Sequence, residues 1–197
     1  MKEYEKLYEI IKLDKSKLIL LSGIAGSGKS SLGLNITKDV AFNNKTAVAV
    51  FSLEIGIKEC VNRIIGDNKS LKCIEELAEA NVFIDDTPNI AVDYIEEKCR
   101  ELKQAKNVNF VLIDYLQLIN YENDIEKVSK KLKALSQELN LTILVLSQLS
   151  ANTENKQPTI ENLKDSKAVA DVSDVVAFLY KEDNITQVII DKNKIEM

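Results

Sequence analysis

The chain has 197 residues, 45% of them hydrophobic and 29% charged, with only 6 Gly and 2 Pro; this suits one α/β domain with a real core and excludes collagenous, low-complexity and long disordered chains. Acidic residues outnumber basic ones 31 to 26, for a net charge of −5, so no global positive field draws the protein to nucleic acid and any such contact must be local. No apolar run reaches the roughly 18 to 20 residues that cross a bilayer, and the polar start lacks a secretory apolar stretch; the expectation is a cytoplasmic protein with no membrane contact.

Apolar runs of strand length alternate with helix-period segments, the pattern of an α/β domain with a largely parallel sheet. Met1 to Lys12 carries Tyr4, Leu7, Tyr8 and Ile11 on one stripe and predicts an amphipathic helix. Leu18 to Leu21 predicts a buried strand, followed by a Gly-rich turn and a helix from about Lys29 with Leu32, Ile36 and Val40 inward. Ala47 to Phe51 predicts a second strand and Ile57 to Ile65 a second helix. A third strand, Val82 to Ile84, ends in Asp85-Asp86-Thr87-Pro88, a turn expected to cap a helix from about Ala91 to Lys106. Phe110 to Ile113, a helix over Glu126 to Leu139, and Thr142 to Leu146 follow. Gln148 to Ser173 is polar and aperiodic, which predicts a functional loop. Val175 to Tyr180 and Thr186 to Ile190 predict a hairpin at one sheet edge. Residues 1–14 are thus read as a separate N-terminal helix and 15–197 as one domain.

Gly23-Ile-Ala-Gly-Ser-Gly-Lys29-Ser30 fits G-x-x-x-x-G-K-S/T between a predicted buried strand and a helix. Glycines let successive backbone N–H groups face a phosphate, and the helix N-terminus adds partial positive charge. The candidate phosphate-binding set is Gly23, Gly26, Ser27, Gly28, Lys29, Ser30 and Ser31, with Lys29 reaching the β and γ phosphates and the Ser30 hydroxyl on Mg²⁺. Asp114 ends the run Phe110 to Ile113 and so falls at the C-terminal edge of a parallel sheet, where such folds bind ligands; it is the second candidate Mg²⁺ residue. Glu54 follows a strand to the same edge and is the candidate base for an attacking water. Gln148, after the strand from Thr142, could hydrogen-bond the γ-phosphate.

A GTPase would need N-K-x-D, and Asn193-Lys194-Ile195-Glu196 has Glu where Asp must read the base. A nucleotide kinase needs several Arg clamps, whereas Arg63 and Arg100 are the whole supply. An ATPase of RecA type needs only what is present. The cysteines Cys60, Cys73 and Cys99 form no C-x-x-C pair, and with no His in the chain the usual zinc and disulfide patterns are excluded.

These residues resemble the RecA-like ATPase domain of bacterial DnaB-type replicative helicases. The resemblance runs through Gly23 to Asn35, Phe51-Ser-Leu-Glu54 with Arg63 downstream, Ile84-Asp-Asp-Thr-Pro88, Phe110-Val-Leu-Ile-Asp-Tyr-Leu-Gln-Leu-Ile119, and Leu132-Lys-Ala-Leu135 through Leu146-Ser-Gln-Leu149. It implies a Mg²⁺-ATP motor assembled as a ring, usually of six, or joined to another helicase of this type, with ATP between subunits and single-stranded DNA in the channel. By the same resemblance Lys29, Ser30, Glu54, Asp114 and Gln148 match the nucleotide and catalytic positions, and Lys164, Asp165 and Lys167 fall where the family's loop touches DNA phosphates. Lys can replace Arg there as a point charge. Two departures stand out: the stretch between Arg63 and Ile84 is shorter than usual, and Lys192 and Lys194 stand where the family has K-x-R, whose Arg reaches the neighbour's γ-phosphate. Nothing in the chain corresponds to the family's N-terminal primase-interacting domain, and the first helix could stand in for the linker helix that docks on the next subunit. The leading expectation is a DnaB-like 5′–3′ helicase motor; the alternative is an ATP-binding partner module that does not unwind. A recombinase-type or clock-type RecA ATPase is disfavoured by Ile113-Asp-Tyr-Leu-Gln-Leu118.

Overall fold

The computed structural model describes residues 3–12, 16–66, 75–77, 79–120, 124–149, 157–163, 166–182 and 185–195. Seven strands form one sheet in the order β3-β2-β4-β5-β1-β6-β7. They are β1 (Lys17–Gly23), β2 (Val48–Ser52), β3 (Val82–Asp85), β4 (Phe110–Asp114), β5 (Thr142–Gln148), β6 (Val175–Glu182) and β7 (Ile185–Asn193). All neighbours are parallel except β6 and β7, whose antiparallel register slips between Val176 and Ala177. The expected parallel sheet with a terminal hairpin is present, and both hairpin strands run further than their apolar cores indicated.

The helices with both ends among the described residues are α1 (Glu3–Lys12), α2 (Lys29–Phe42), α3 (Ile57–Ile65), α4 (Val92–Lys106), α5 (Ile125–Glu138) and the short α6 (Lys167–Val172). Alternate strand residues feed two cores, as the two-residue period of a strand requires. Leu18, Leu20, Val111, Ile113, Ile143 and Val145 pack with Ile95 of α4, Leu132 of α5 and Val169 of α6. On the other face Ile19, Leu21, Val50, Leu112, Leu144 and Leu146 pack with α1, α2 and α3 through Leu7, Ile10, Leu34, Ile36 and Ile64. A three-layer α/β/α domain results, and its strands read as continuous apolar runs because both sheet faces are covered.

Three local expectations need correction. Leu32 packs on the core but is only partly buried, whereas Ile36 and Val40 are buried as expected and Gly33, Leu34 and Thr37 are buried with them; a Cβ at Gly33 would come within 3.1 Å of the Leu112 and Leu146 side-chain ends, tighter than ordinary contact. The Asp85–Pro88 turn does not cap α4, whose N-cap Ala91 makes no side-chain bond. Asp85 accepts from Thr87 N (2.9 Å) and the Tyr94 hydroxyl (2.8 Å), while Asp86 Oδ2 accepts from Ile57 N (2.9 Å) and so caps α3. Finally, the polar stretch after Gln148 is not all loop: it contains a 3₁₀ turn at Ile160–Asn162 and α6.

The helix α1 packs on this chain's own domain. Leu7 and Ile10 are fully buried, and the buried Lys17 ammonium donates to the Ile10 carbonyl at 2.6 Å and the Ile11 carbonyl at 3.4 Å. That satisfies carbonyls a helix end leaves orphaned.

Candidate functional site

Strand β1 ends at Gly23 and α2 begins at Lys29, so the intervening loop turns at the C-terminal edge of the sheet. Gly23 cannot carry a side chain: a Cβ would lie 2.7 Å from the Leu179 carbonyl oxygen and 2.7 Å from Ser27 Oγ. Gly26 (φ +72°) and Gly28 (φ +96°) adopt the left-handed conformations that aim backbone N–H groups inward. The result is an anion cradle on a helix N-terminus.

Lys29 is 8% exposed and folds back to donate to the Ile24 carbonyl at 2.8 Å. Burial lowers its pKa, while Asp114 and Glu54 pull the other way. Asp114 is 2% exposed, and its Oδ1 has no hydrogen-bond partner, like the buried Ser27 Oγ. Burial pushes the Asp114 carboxyl up, against a hydrogen bond from Ser30, with Glu54 adding to the rise and Lys29 opposing it. A buried carboxylate with a vacant oxygen, beside a hydroxyl and a lysine, is a donor set that suits a hard cation shared with phosphate oxygens. Among the described residues no group of three or more His, Cys, Asp or Glu could hold a metal ion.

A cleft of about 310 Å³ opens above these residues and is lined also by Glu54, Gln148, Tyr115 and Arg63. Glu54 is exposed in the β2–α3 turn. That turn is pinned by Leu53 N donating to the Asp114 carbonyl (2.7 Å), Ser52 Oγ donating to the Ile55 carbonyl (2.6 Å), and the Asp86 cap on α3. Arg63 reaches the cleft from α3 while paired with Glu59 at 2.9 Å. Tyr115 and Gln117 were not singled out by sequence reasoning. Both lie within Ile113-Asp-Tyr-Leu-Gln-Leu118, which carried the resemblance and was the available signal; what it does not convey is the Gln117 contact to residues 30 positions away.

The remaining sequence-derived residues lie elsewhere. Lys194 follows β7 at the N-terminal edge of the sheet, where its N–H donates to the Asp174 carbonyl at 2.8 Å, far from this chain's own phosphate loop. Lys192 donates to the carbonyls of Ala170 (2.6 Å) and Asp171 (3.0 Å) at the end of α6. Lys167 is exposed at the start of α6, whereas Lys164 and Asp165 lie outside the described residues, as does Cys73. Cys60 and Cys99 are buried free thiols. A larger hollow of about 900 Å³ beside α1 and the end of α2 is lined by carboxylates such as Glu5, Glu9 and Glu79 and lacks a phosphate cradle. No helix among the described residues is long and apolar enough to cross a membrane.

A family model described as the DnaB-like helicase C terminal domain matches residues 2–73 and 66–196. The two pieces meet within the stretch between Arg63 and Ile84 that reads as shortened. The replicative DNA helicase DnaC of Bacillus subtilis (strain 168) is 32% identical over 213 residues, covering 93% of this chain and 47% of that protein. The replicative DNA helicase DnaB of Geobacillus stearothermophilus is 33% identical with the same coverage. The chain therefore spans about half the length of these curated relatives. Among solved structures, an isolated ATPase domain superposes with a TM-score of 0.82 at 28% identity, covering 92% of this chain and 78% of that one. A DnaB-like replicative helicase, solved in a study of its interactions with primase, also gives 0.82, at 27% identity, covering 92% of this chain and 53% of that one. Because the family model accounts for nearly every residue and the solved ATPase domains share the same RecA-like sheet, this chain belongs to the family of DnaB-like helicase C-terminal domains.

Proposed function

We propose that this chain is the ATP-hydrolysing motor of a replicative helicase, binding Mg²⁺-ATP in the cleft and moving 5′–3′ along single-stranded DNA within a ring of six subunits. The observation that carries it is the buried Asp114 with an unpartnered oxygen beside Ser30 and Lys29 at the mouth of the phosphate loop.

In this reading the loop N–H groups hold the β-phosphate, and Lys29 leaves the Ile24 carbonyl to bind the β and γ oxygens. Ser30 and Asp114 would hold Mg²⁺, whose charge would offset that of the phosphate oxygens. Glu54 accepts a proton from the attacking water, and Gln148 hydrogen-bonds the γ-phosphate. Lys194 lies at the opposite edge of the sheet, so it serves only a neighbour's nucleotide. Lys164, Asp165 and Lys167 contribute local contacts to DNA phosphates, as a chain with net charge −5 requires.

An ATPase assay with and without single-stranded DNA, paired with a solution mass measurement, tests the reading: turnover is expected to rise with DNA and with assembly. The Lys192 contact to α6 favours a second reading, a partner module without unwinding activity, since it leaves Lys194 alone for a finger in trans. Turnover independent of protein concentration in a monomer, unchanged by Lys194→Ala, would put that reading ahead.

A further inference from the structure

Strand β5 outruns its neighbour β4. Their pairing ends at Ile113 with Val145, whereas β5 continues beside β1 as far as Gln148 opposite Gly23. In a strand the N–H and C=O of one residue point to the same side. Those of Gln148 face the side from which β4 has gone, and a peptide group left there needs a substitute partner.

The Gln117 side chain supplies one. Its carboxamide oxygen accepts from Gln148 N at 3.2 Å, and its nitrogen donates to the Gln148 carbonyl at 3.0 Å and to Ser147 Oγ at 3.0 Å. One side-chain amide thus copies the donor and acceptor of a missing peptide. Gln117 sits on a 3₁₀ turn, Leu116–Leu118, that begins two residues after Asp114 and is anchored by the buried Leu116 and Ile119. On the opposite flank Leu149 N donates to the Gly23 carbonyl at 2.9 Å, tying the next residue to the first glycine of the phosphate loop. The Gln148 backbone is therefore gripped from both sides at a residue that lines the cleft.

We infer that Gln117 is a positioning residue: it fixes the Gln148 backbone so that the Gln148 carboxamide meets the γ-phosphate, and it joins that contact to the turn that follows Asp114. This rests on the reading of Gln148 as the γ-phosphate contact. Only a carboxamide of this length fits: Asn is one methylene short, Glu presents acceptors alone and repels the Gln148 carbonyl, and Met fills the space without hydrogen bonds.

The test is Mg²⁺-dependent binding of a non-hydrolysable ATP analogue and of ADP to the full chain. Gln148→Ala is expected to weaken the analogue about tenfold, the loss of a hydrogen bond to a charged group, and to leave ADP within about twofold. Gln117→Met is expected to do the same, and the double variant to be no weaker than Gln148→Ala, because both act through one contact. If Gln117→Met fails to fold, Gln117→Glu carries the test, with the same selective loss expected. Equal loss of ADP and analogue in the Gln117 variant, parental affinity for both, or additive losses in the double variant would each overturn the positioning role while the Gln148 reading survived. Parental analogue affinity in Gln148→Ala would overturn the Gln148 reading itself, and the positioning role with it.

Discussion

The two edges of the sheet use similar charged groups for opposite ends. At the N-terminal edge Lys17 donates to the last carbonyls of α1, and Lys192 donates to those of α6. Asp174 accepts from Leu18 N at 2.7 Å and from Lys133 at 2.6 Å. At the C-terminal edge, among the described residues, Asp114 Oδ1 and Ser27 Oγ are buried without partners, and Lys29 donates to its own loop's carbonyl. Partnered charge stabilises the chain, whereas unpartnered charge costs stability and is tolerated where a ligand completes it. Burial alone does not distinguish the edges, since one oxygen of Asp39 beneath α1 is also without a partner; what marks the C-terminal edge is convergence of cradle, carboxylate and lysine on one cleft.

The contrast breaks most visibly at the cleft. Lys29→Ala is expected to abolish nucleotide binding in an equilibrium titration, whereas Glu54→Gln is expected to keep binding and lose hydrolysis by roughly 10² to 10⁴ in rate. Both variants are expected to fold, because neither side chain holds the core. Parental nucleotide affinity in Lys29→Ala would remove the cleft from the argument.

The opposite edge should respond in stability. Asp174→Ala leaves the Lys133 ammonium and the Leu18 N–H without their carboxylate, which is expected to cost about 1–3 kcal/mol in denaturant unfolding. Nucleotide affinity should remain unchanged when measured below the unfolding transition. A stable Asp174→Ala with impaired binding would reverse the assignment of the two edges.

The strands were legible because both faces are buried, so each reads as an unbroken apolar run, and the phosphate loop was legible because its glycines and lysine are consecutive. Asp114 follows from the same logic, as the first polar residue at a strand's end. What escaped were features without local pattern. Only Val169 and Ala170 of the six-residue α6 are buried, too short a stripe for a helical period to register. Asp86 caps a helix starting 29 residues earlier, and Gln117 clasps a backbone 31 residues later. Such contacts are set by which strand outruns which, a property of the sheet. Lys192 shows the complementary error: its position suggested a reach toward a neighbour, and its ammonium is spent within the fold on α6.

Lys194 sharpens the contrast, since it stands at the structural edge with a role proposed only in the neighbour's cleft. Lys neutralises charge without gripping two oxygens in one plane. An Arg finger is worth about 10³ to 10⁵ in rate, and Lys194→Arg is expected to recover a part of that, roughly tenfold, at protein concentrations where subunits meet. Steady-state turnover across a concentration series checks it; equal turnover of variant and parent at every concentration would argue against a finger at this position.

The smallest effect belongs to neither edge. On the exposed α4–α5 face Arg100 forms a two-pronged pair with Glu138, with Nη2 to Oε2 at 2.7 Å, and meets Glu96 at 2.8 Å. Hydrogen bonds from Arg100 hold both glutamates below the usual carboxylate range, with burial opposing and Lys131 adding to the effect at Glu96. A carboxylate depressed on folding contributes stability above its unfolded pKa of about 4.3 and loses it as pH falls through the folded value. Arg100→Ala is therefore expected to lower Tm by only one or two degrees, roughly, at neutral pH, because exposed pairs are screened by solvent. The gap between variant and parent should close as pH drops from about 6 to about 3, and should narrow in high salt. A gap that stayed constant on acidification and in high salt would mean that Arg100 contributes through packing of its stem, and that charge on this face, unlike charge at either edge of the sheet, has no part in holding the domain together.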